Sequence, residues 1–73
     1  MPKYDVNIEG SIYEWARETI TVAEIRQLAG FAAGQEVIEV DLKDQSEHVL
    51  AEGETVELKP GKGFGKKVSF KRG

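Results

Sequence analysis

Tyr4, Val6 and Ile8 alternate with Asp5, Asn7 and Glu9, the two-residue period of a strand with one face in water. Glu9-Gly10-Ser11 reads as a turn, with Gly10 free to take a positive φ. Ile12 to Trp15 then reads as the returning strand of a hairpin. Tyr13 and Trp15 share one face, expected to be the core side. Trp15 is expected to be largely buried against the helix face that carries Ile25 and Leu28. A short polar link follows.

The pattern then changes period. Thr21-Val22-Ala23-Glu24 fits a capping box, in which the threonine oxygen accepts from the Glu24 N–H and the Glu24 carboxylate reaches back to the Thr21 N–H. Ile20, just ahead of the cap, can pack on Ile25 as a hydrophobic staple. Ile25, Leu28 and Ala29 fall on one helical face, and Gly30 suits the left-handed position that stops a helix. At about nine residues such a helix depends on tertiary packing.

Beyond the loop Phe31 to Gln35, the segment Glu36 to Leu42 alternates again, with Ile38, Val40 and Leu42 expected on the core side and Glu39 and Asp41 outward. Lys43 to Glu47 is turn-like, His48-Val49-Leu50 fits a short strand, and Thr55 to Leu58 is a brief apolar-polar segment after a turn at Glu52-Gly53-Glu54. Pro60-Gly61 is a break. Gly61 to Lys66 reads as a flexible loop, and Lys67 to Lys71, with Val68 and Phe70 on its apolar side, reads as the last strand.

These elements make one domain over residues 1–73, with a tail at 71–73. The class is α+β: a mixed four- to five-stranded sheet crossed by one helix, with the last strand parallel to the first through a right-handed crossover. The chain has no cysteine, which excludes disulfides, thiolate metal sites and cysteine nucleophiles. It has one histidine, His48, too few for an imidazole cluster. No apolar run approaches a membrane span and the first residues do not form a signal peptide, so a soluble, cytoplasmic protein is expected.

Net charge is −3, distributed unevenly. Residues 1–58 hold all thirteen acids against Lys3, Arg17, Arg26 and Lys43, giving −9; residues 59–73 hold six basic residues and no acid, giving +6. A basic end can contact nucleic acid. A solvated strand that meets a protein partner is the preferred reading, because few aromatics interleave with the lysines.

Candidate chemistry is sparse. Gly61-Lys62-Gly63-Phe64-Gly65-Lys66 lacks the spacing of a phosphate loop and enters no helix. Glu36, Glu39 and Asp41 lack the spacing of a calcium loop, and His48 has no nucleophile arranged beside it. No enzyme activity is expected.

The order of elements resembles the ubiquitin-like β-grasp fold. More narrowly, Tyr13-Glu14-Trp15, Thr19-Ile20-Thr21, Glu24 to Gly30 and Leu58-Lys59-Pro60-Gly61 resemble the bacterial multi-ubiquitin domain family. The resemblance implies a protein modifier with no cofactor. Its C-terminal carboxylate would be that of Gly73, adenylated and passed as a thioester to conjugating enzymes, with Lys71 and Arg72 touching the activating enzyme. It implies as partners activating and conjugating enzymes, a deconjugating protease and target proteins, and neither a membrane nor nucleic acid. Lys3, Lys43, Lys59, Lys62, Lys66, Lys67 and Lys71 are candidate acceptors of further copies. The tail has one glycine where such modifiers have two. The outward strand positions read as mainly charged, so the apolar recognition patch of eukaryotic ubiquitin is not expected. A non-covalent interaction domain and a sulfur carrier with a C-terminal thiocarboxylate are the alternatives.

Overall fold

The structure, a computed structural model, describes residues 3–67. In chain order the elements are β1 (Tyr4–Ile8), β2 (Ser11–Trp15), β3 (Thr19–Thr21), α1 (Val22–Ala29), β4 (Val37–Asp41), β5 (Glu47–Val49), β6 (Thr55–Glu57) and β7 (Lys62–Lys66). Five strands form a mixed sheet in the order β2-β1-β7-β4-β5, and β3 pairs with β6 in a separate antiparallel ribbon. β7 lies at the centre of the sheet, parallel to β1 and antiparallel to β4. With the helix on one face, this is the ubiquitin-like β-grasp arrangement.

Local chemistry explains the first half of the chain. Glu9 and Gly10 both have positive φ, 53° and 88°, as a two-residue hairpin turn matched to the strand twist requires. Asn7 Oδ1 accepts from the Gly10 N–H at 3.0 Å and steadies that turn. The capping box is complete: the Glu24 N–H donates to Thr21 Oγ1 at 3.2 Å, and the Thr21 N–H donates to Glu24 Oε1 at 2.9 Å. Gly30 closes the helix in the left-handed region, and its N–H reaches the Arg26 carbonyl. Thr21→Ala is expected to lower stability by about 0.5–2 kcal/mol, read as a reduced urea midpoint at unchanged slope.

The core lies between α1 and one face of the sheet. Val6 and Ile8 from β1, Val37 from β4 and Phe64 from β7 meet Val22 and Ile25 of the helix. Ile20 and Val56, directly paired in the β3–β6 ribbon, close it on one side. Ile20 and Ile25 are both fully buried there, as the staple requires.

Three sequence expectations change. Gly61 to Lys66 is not a loop: Lys62 to Lys66 is the central strand, anchored by Phe64, which is 3 % exposed. The expected strand from Lys67 to Lys71 lies, apart from Lys67, outside the described residues. Trp15 is half-buried against the core rather than enclosed by it, because β2 is an edge strand. Its indole N–H donates to the Thr19 carbonyl at 2.9 Å and the Arg17 guanidinium carbon sits 5.1 Å from the ring centroid, so Trp15 ties down the link to β3.

The third change is the face of β4. Phe64 points into the core, so Gly63 and Gly65 face away from the helix, and their paired positions Val40 and Ile38 face away with them. Leu42 confirms the direction: its Cδ2 would lie 3.4 Å from a Cβ on Gly63. The expected core triplet Ile38, Val40 and Leu42 therefore lies on the outer face, where Ile38 is still buried, 7 % exposed, and Val40 and Leu42 are not. Val37 takes the core position instead.

Candidate functional site

Gly73, Lys71 and Arg72, the residues to which the resemblance assigns conjugation, lie outside the described residues. What the structure describes is the root from which they continue. β7 ends at Lys66, opposite Val37 at the start of β4. One residue further, the Lys67 N–H donates to the Glu36 carbonyl at 2.9 Å, and Gln35 Nε2 donates to the Lys67 carbonyl at 3.0 Å. Both backbone groups of Lys67 are thus held by the segment that leads into β4.

That segment is itself braced. The Gln35 carbonyl accepts from Arg26 Nε at 2.7 Å, and the Arg26 guanidinium makes a two-pronged contact with the Glu52 carboxylate. The Arg26 side chain is 13 % exposed and that of Glu52 70 % exposed, so the pair sits at the margin of the core. The last turn of α1, the loop before β4 and the turn before β6 are linked by this one arginine. The sequence gives no sign of it. Arg26 and Gln35 are nine residues apart, and Gln35 has no neighbour that marks it.

The opposite end of the sheet has its own polar lock. Asp41 accepts from the Lys43 N–H at 2.9 Å and from Lys62 Nζ at 3.2 Å, which closes the β4–β5 turn onto the start of β7. Glu36, Glu39 and Asp41 do not gather. Glu39 and Asp41 alternate with Val40, and Asp41 serves this lock. Among the candidate acceptors, Lys3 pairs with Glu14, Lys59 with Glu57 and Lys62 with Asp41, while Lys43, Lys66 and Lys67 are exposed. Lys71 lies outside the described residues.

Three carboxyl groups are held below their usual range. The Thr21 backbone N–H, helped by Arg17, lowers Glu24; the Lys43 N–H, then Lys62, lowers Asp41; the Arg26 guanidinium lowers Glu52. A carboxyl depressed in the folded chain adds stability that is complete above its ordinary pKa and is lost as pH falls through the folded value. Stability is therefore expected to fall as the pH drops below roughly 4. Urea midpoints across that range check this, with Glu52→Gln flattening part of the decline. A flat profile in the parent chain would contradict it.

The outer face of the five-stranded sheet was missed from sequence. Leu42 and Val49 are 49 % and 41 % exposed there, with Val40 half-buried between them and Ile38 beneath. Ile12 on β2, 59 % exposed, stands on the same face opposite Asn7. No helix among the described residues is long and apolar enough to cross a membrane.

No curated protein and no solved structure matches the chain. The family model described as multiubiquitin matches residues 4–66, from the first residue of β1 to the last residue of β7. With the whole sheet and its helix inside that match, the chain belongs to the multiubiquitin family.

Proposed function

We propose that the chain is a bacterial ubiquitin-like modifier, joined to target amines through the carboxyl group of Gly73. Membership of the multiubiquitin family carries this reading. The braced backbone of Lys67 supports it: Gln35 and Glu36 hold the last described residue, so the segment that continues towards Gly73 starts from a set position relative to the folded body. The Gly73 carboxylate attacks the α-phosphorus of ATP and releases pyrophosphate. A cysteine thiolate of the activating enzyme then displaces AMP from the acyl-adenylate to leave a thioester, and a target amine finally displaces that thiol to form an amide. The chain is the substrate of these steps and contributes no catalytic group to them. Glycine at the reacting end leaves no side chain to obstruct a narrow enzyme channel. Where residues follow Gly73, a protease exposes the same carboxylate first.

The second reading is a non-covalent interaction domain, which the apolar outer face favours. Incubation with ATP and an activating enzyme encoded beside the chain tests the two. A chain-enzyme adduct that forms only with ATP and is cleaved by a thiol reductant supports the modifier. Absence of any adduct with an enzyme shown to be active leaves the interaction domain.

A further inference from the structure

Gln35 stands in the loop between α1 and β4, half-buried, and each of its N–H groups has an acceptor. The Gln35 N–H donates to the Ala32 carbonyl at 3.0 Å and closes a turn whose third residue, Gly34, has φ 87°, the positive value that a type II turn requires there. The Gln35 carbonyl accepts from Arg26 Nε at 2.7 Å, and both carboxylate oxygens of Glu52 hold the other end of that guanidinium. The two hydrogens of the side-chain amide have separate acceptors: Nε2 lies 3.1 Å from the Glu36 carbonyl and 3.0 Å from the Lys67 carbonyl. The pairing of β4 with β7 ends at Val37 and Lys66. The Gln35 amide therefore links the two chain segments one step past their last strand pair.

We propose that Gln35 is a positioning residue for the reaction at Gly73, acting through the Lys67 backbone, with Arg26 and Glu52 holding Gln35 itself in place. The inference rests on the modifier reading and adds to it the group that aims the chain. Gly73 comes six residues after Lys67. Six residues drawn out by an enzyme reach at most about 20 Å, so a swing of about 10° at Lys67 moves the reacting carboxylate by roughly 3 Å. Neither Gln35 nor Arg26 has to touch the enzyme for this effect. The Lys67 N–H keeps its bond to the Glu36 carbonyl when the Gln35 amide is lost, so the correct direction is still visited. The expected loss is that of one hydrogen bond, about two- to tenfold in rate.

The test uses the full chain and the variant Gln35→Met, which keeps the length and neutrality of the side chain but has no hydrogen to donate. Steady-state ATP–pyrophosphate exchange by an activating enzyme encoded beside the chain is expected to show kcat about two- to tenfold below the parent, with KM for the chain within about twofold. Hydrogen exchange at the Lys67 amide is expected to quicken by a similar factor, while that at Ile8 and Phe64 stays unchanged. Arg26→Lys keeps the charge but loses the planar fork that joins Gln35 to Glu52, and is expected to lower kcat in the same way. The double variant is expected to fall no further than the slower single one, because the two residues form one linkage. A kcat for Gln35→Met equal to that of the parent overturns the proposal and leaves the modifier reading standing. A loss confined to KM does the same, since it would put the Gln35 side chain in direct contact with the enzyme. A rate loss that matches the unfolded fraction in urea titrations also overturns it, because the role would then be structural alone. No exchange with the parent chain and an enzyme shown to be active overturns the modifier reading and this inference together.

Discussion

Phe64→Ala is expected to remove a large share of the protein's stability, about 3–5 kcal/mol. Phe64 is 3 % exposed, occupies the middle of the central strand and lies beside Ile8 on one side and Glu39 on the other. It is the one large apolar side chain of β7, because its strand neighbours on either side are glycines. Truncating a buried phenylalanine costs about 3–5 kcal/mol, the lost transfer energy plus that of the cavity left behind. A chain of 73 residues has a stability on the order of 4–11 kcal/mol. The loss therefore takes most or all of the margin at the lower end of that range. Urea denaturation of the variant, followed by circular dichroism, measures it. A midpoint within experimental error of the parent would mean that residues 62–66 do not form the centre of the sheet.

The same residue explains what could and could not be read from the sequence. The hairpin turn at Glu9-Gly10, the capping box at Thr21 and the glycine stop at Gly30 were legible, because each is fixed by groups within a few residues of one another. The central strand was not. Three glycines among Gly61 to Gly65 resemble a loop, and glycine is depleted in strands for good entropic reasons. Here the neighbours supply what the strand itself lacks: Leu42 and Glu9 lean over Gly63 and Gly65, and β1 and β4 bond it on both edges.

Misplacing β7 carried a second error with it. In Val37-Ile38-Glu39-Val40-Asp41 either face of the strand offers an apolar residue, so a one-residue choice decides which side is buried. Counting favoured Ile38, Val40 and Leu42. Packing favoured Val37, because Phe64 has to enter the core and takes its paired position, Glu39, to the helix side with it. The outer apolar face follows from that register, which explains why sequence alternation gave a charged surface there. The ribbon of β3 and β6 was also not legible. Each strand is three residues long, and they pair across more than thirty residues of chain with no turn to announce them.

Removal of Gly73 is expected to abolish ATP-dependent thioester formation with the activating enzyme while leaving the melting temperature nearly unchanged. The two effects separate because they rest on different parts of the chain. The core residues Val6, Ile8, Ile20, Ile25, Val37 and Phe64 all precede Lys67, where Gln35 and Glu36 hold the backbone. Shortening the chain at residue 73 removes none of those contacts. It does move the carboxylate onto Arg72, whose long side chain would then stand beside the reacting carbon and whose main chain stops one residue short of the adenylation site. Placement errors on the order of 1 Å can cost about a hundredfold in rate, so a full residue is expected to leave no detectable adduct. Substituting Lys71 and Arg72 together with glutamate is the companion experiment. It should slow adduct formation without preventing it, and the difference from the parent should shrink as salt rises, because exposed charges steer encounter more than they set the chemistry. An adduct that persists after Gly73 is deleted would place the reaction on another carboxylate. A melting temperature that falls with the deletion would make Gly73 part of the fold rather than the group an enzyme takes hold of.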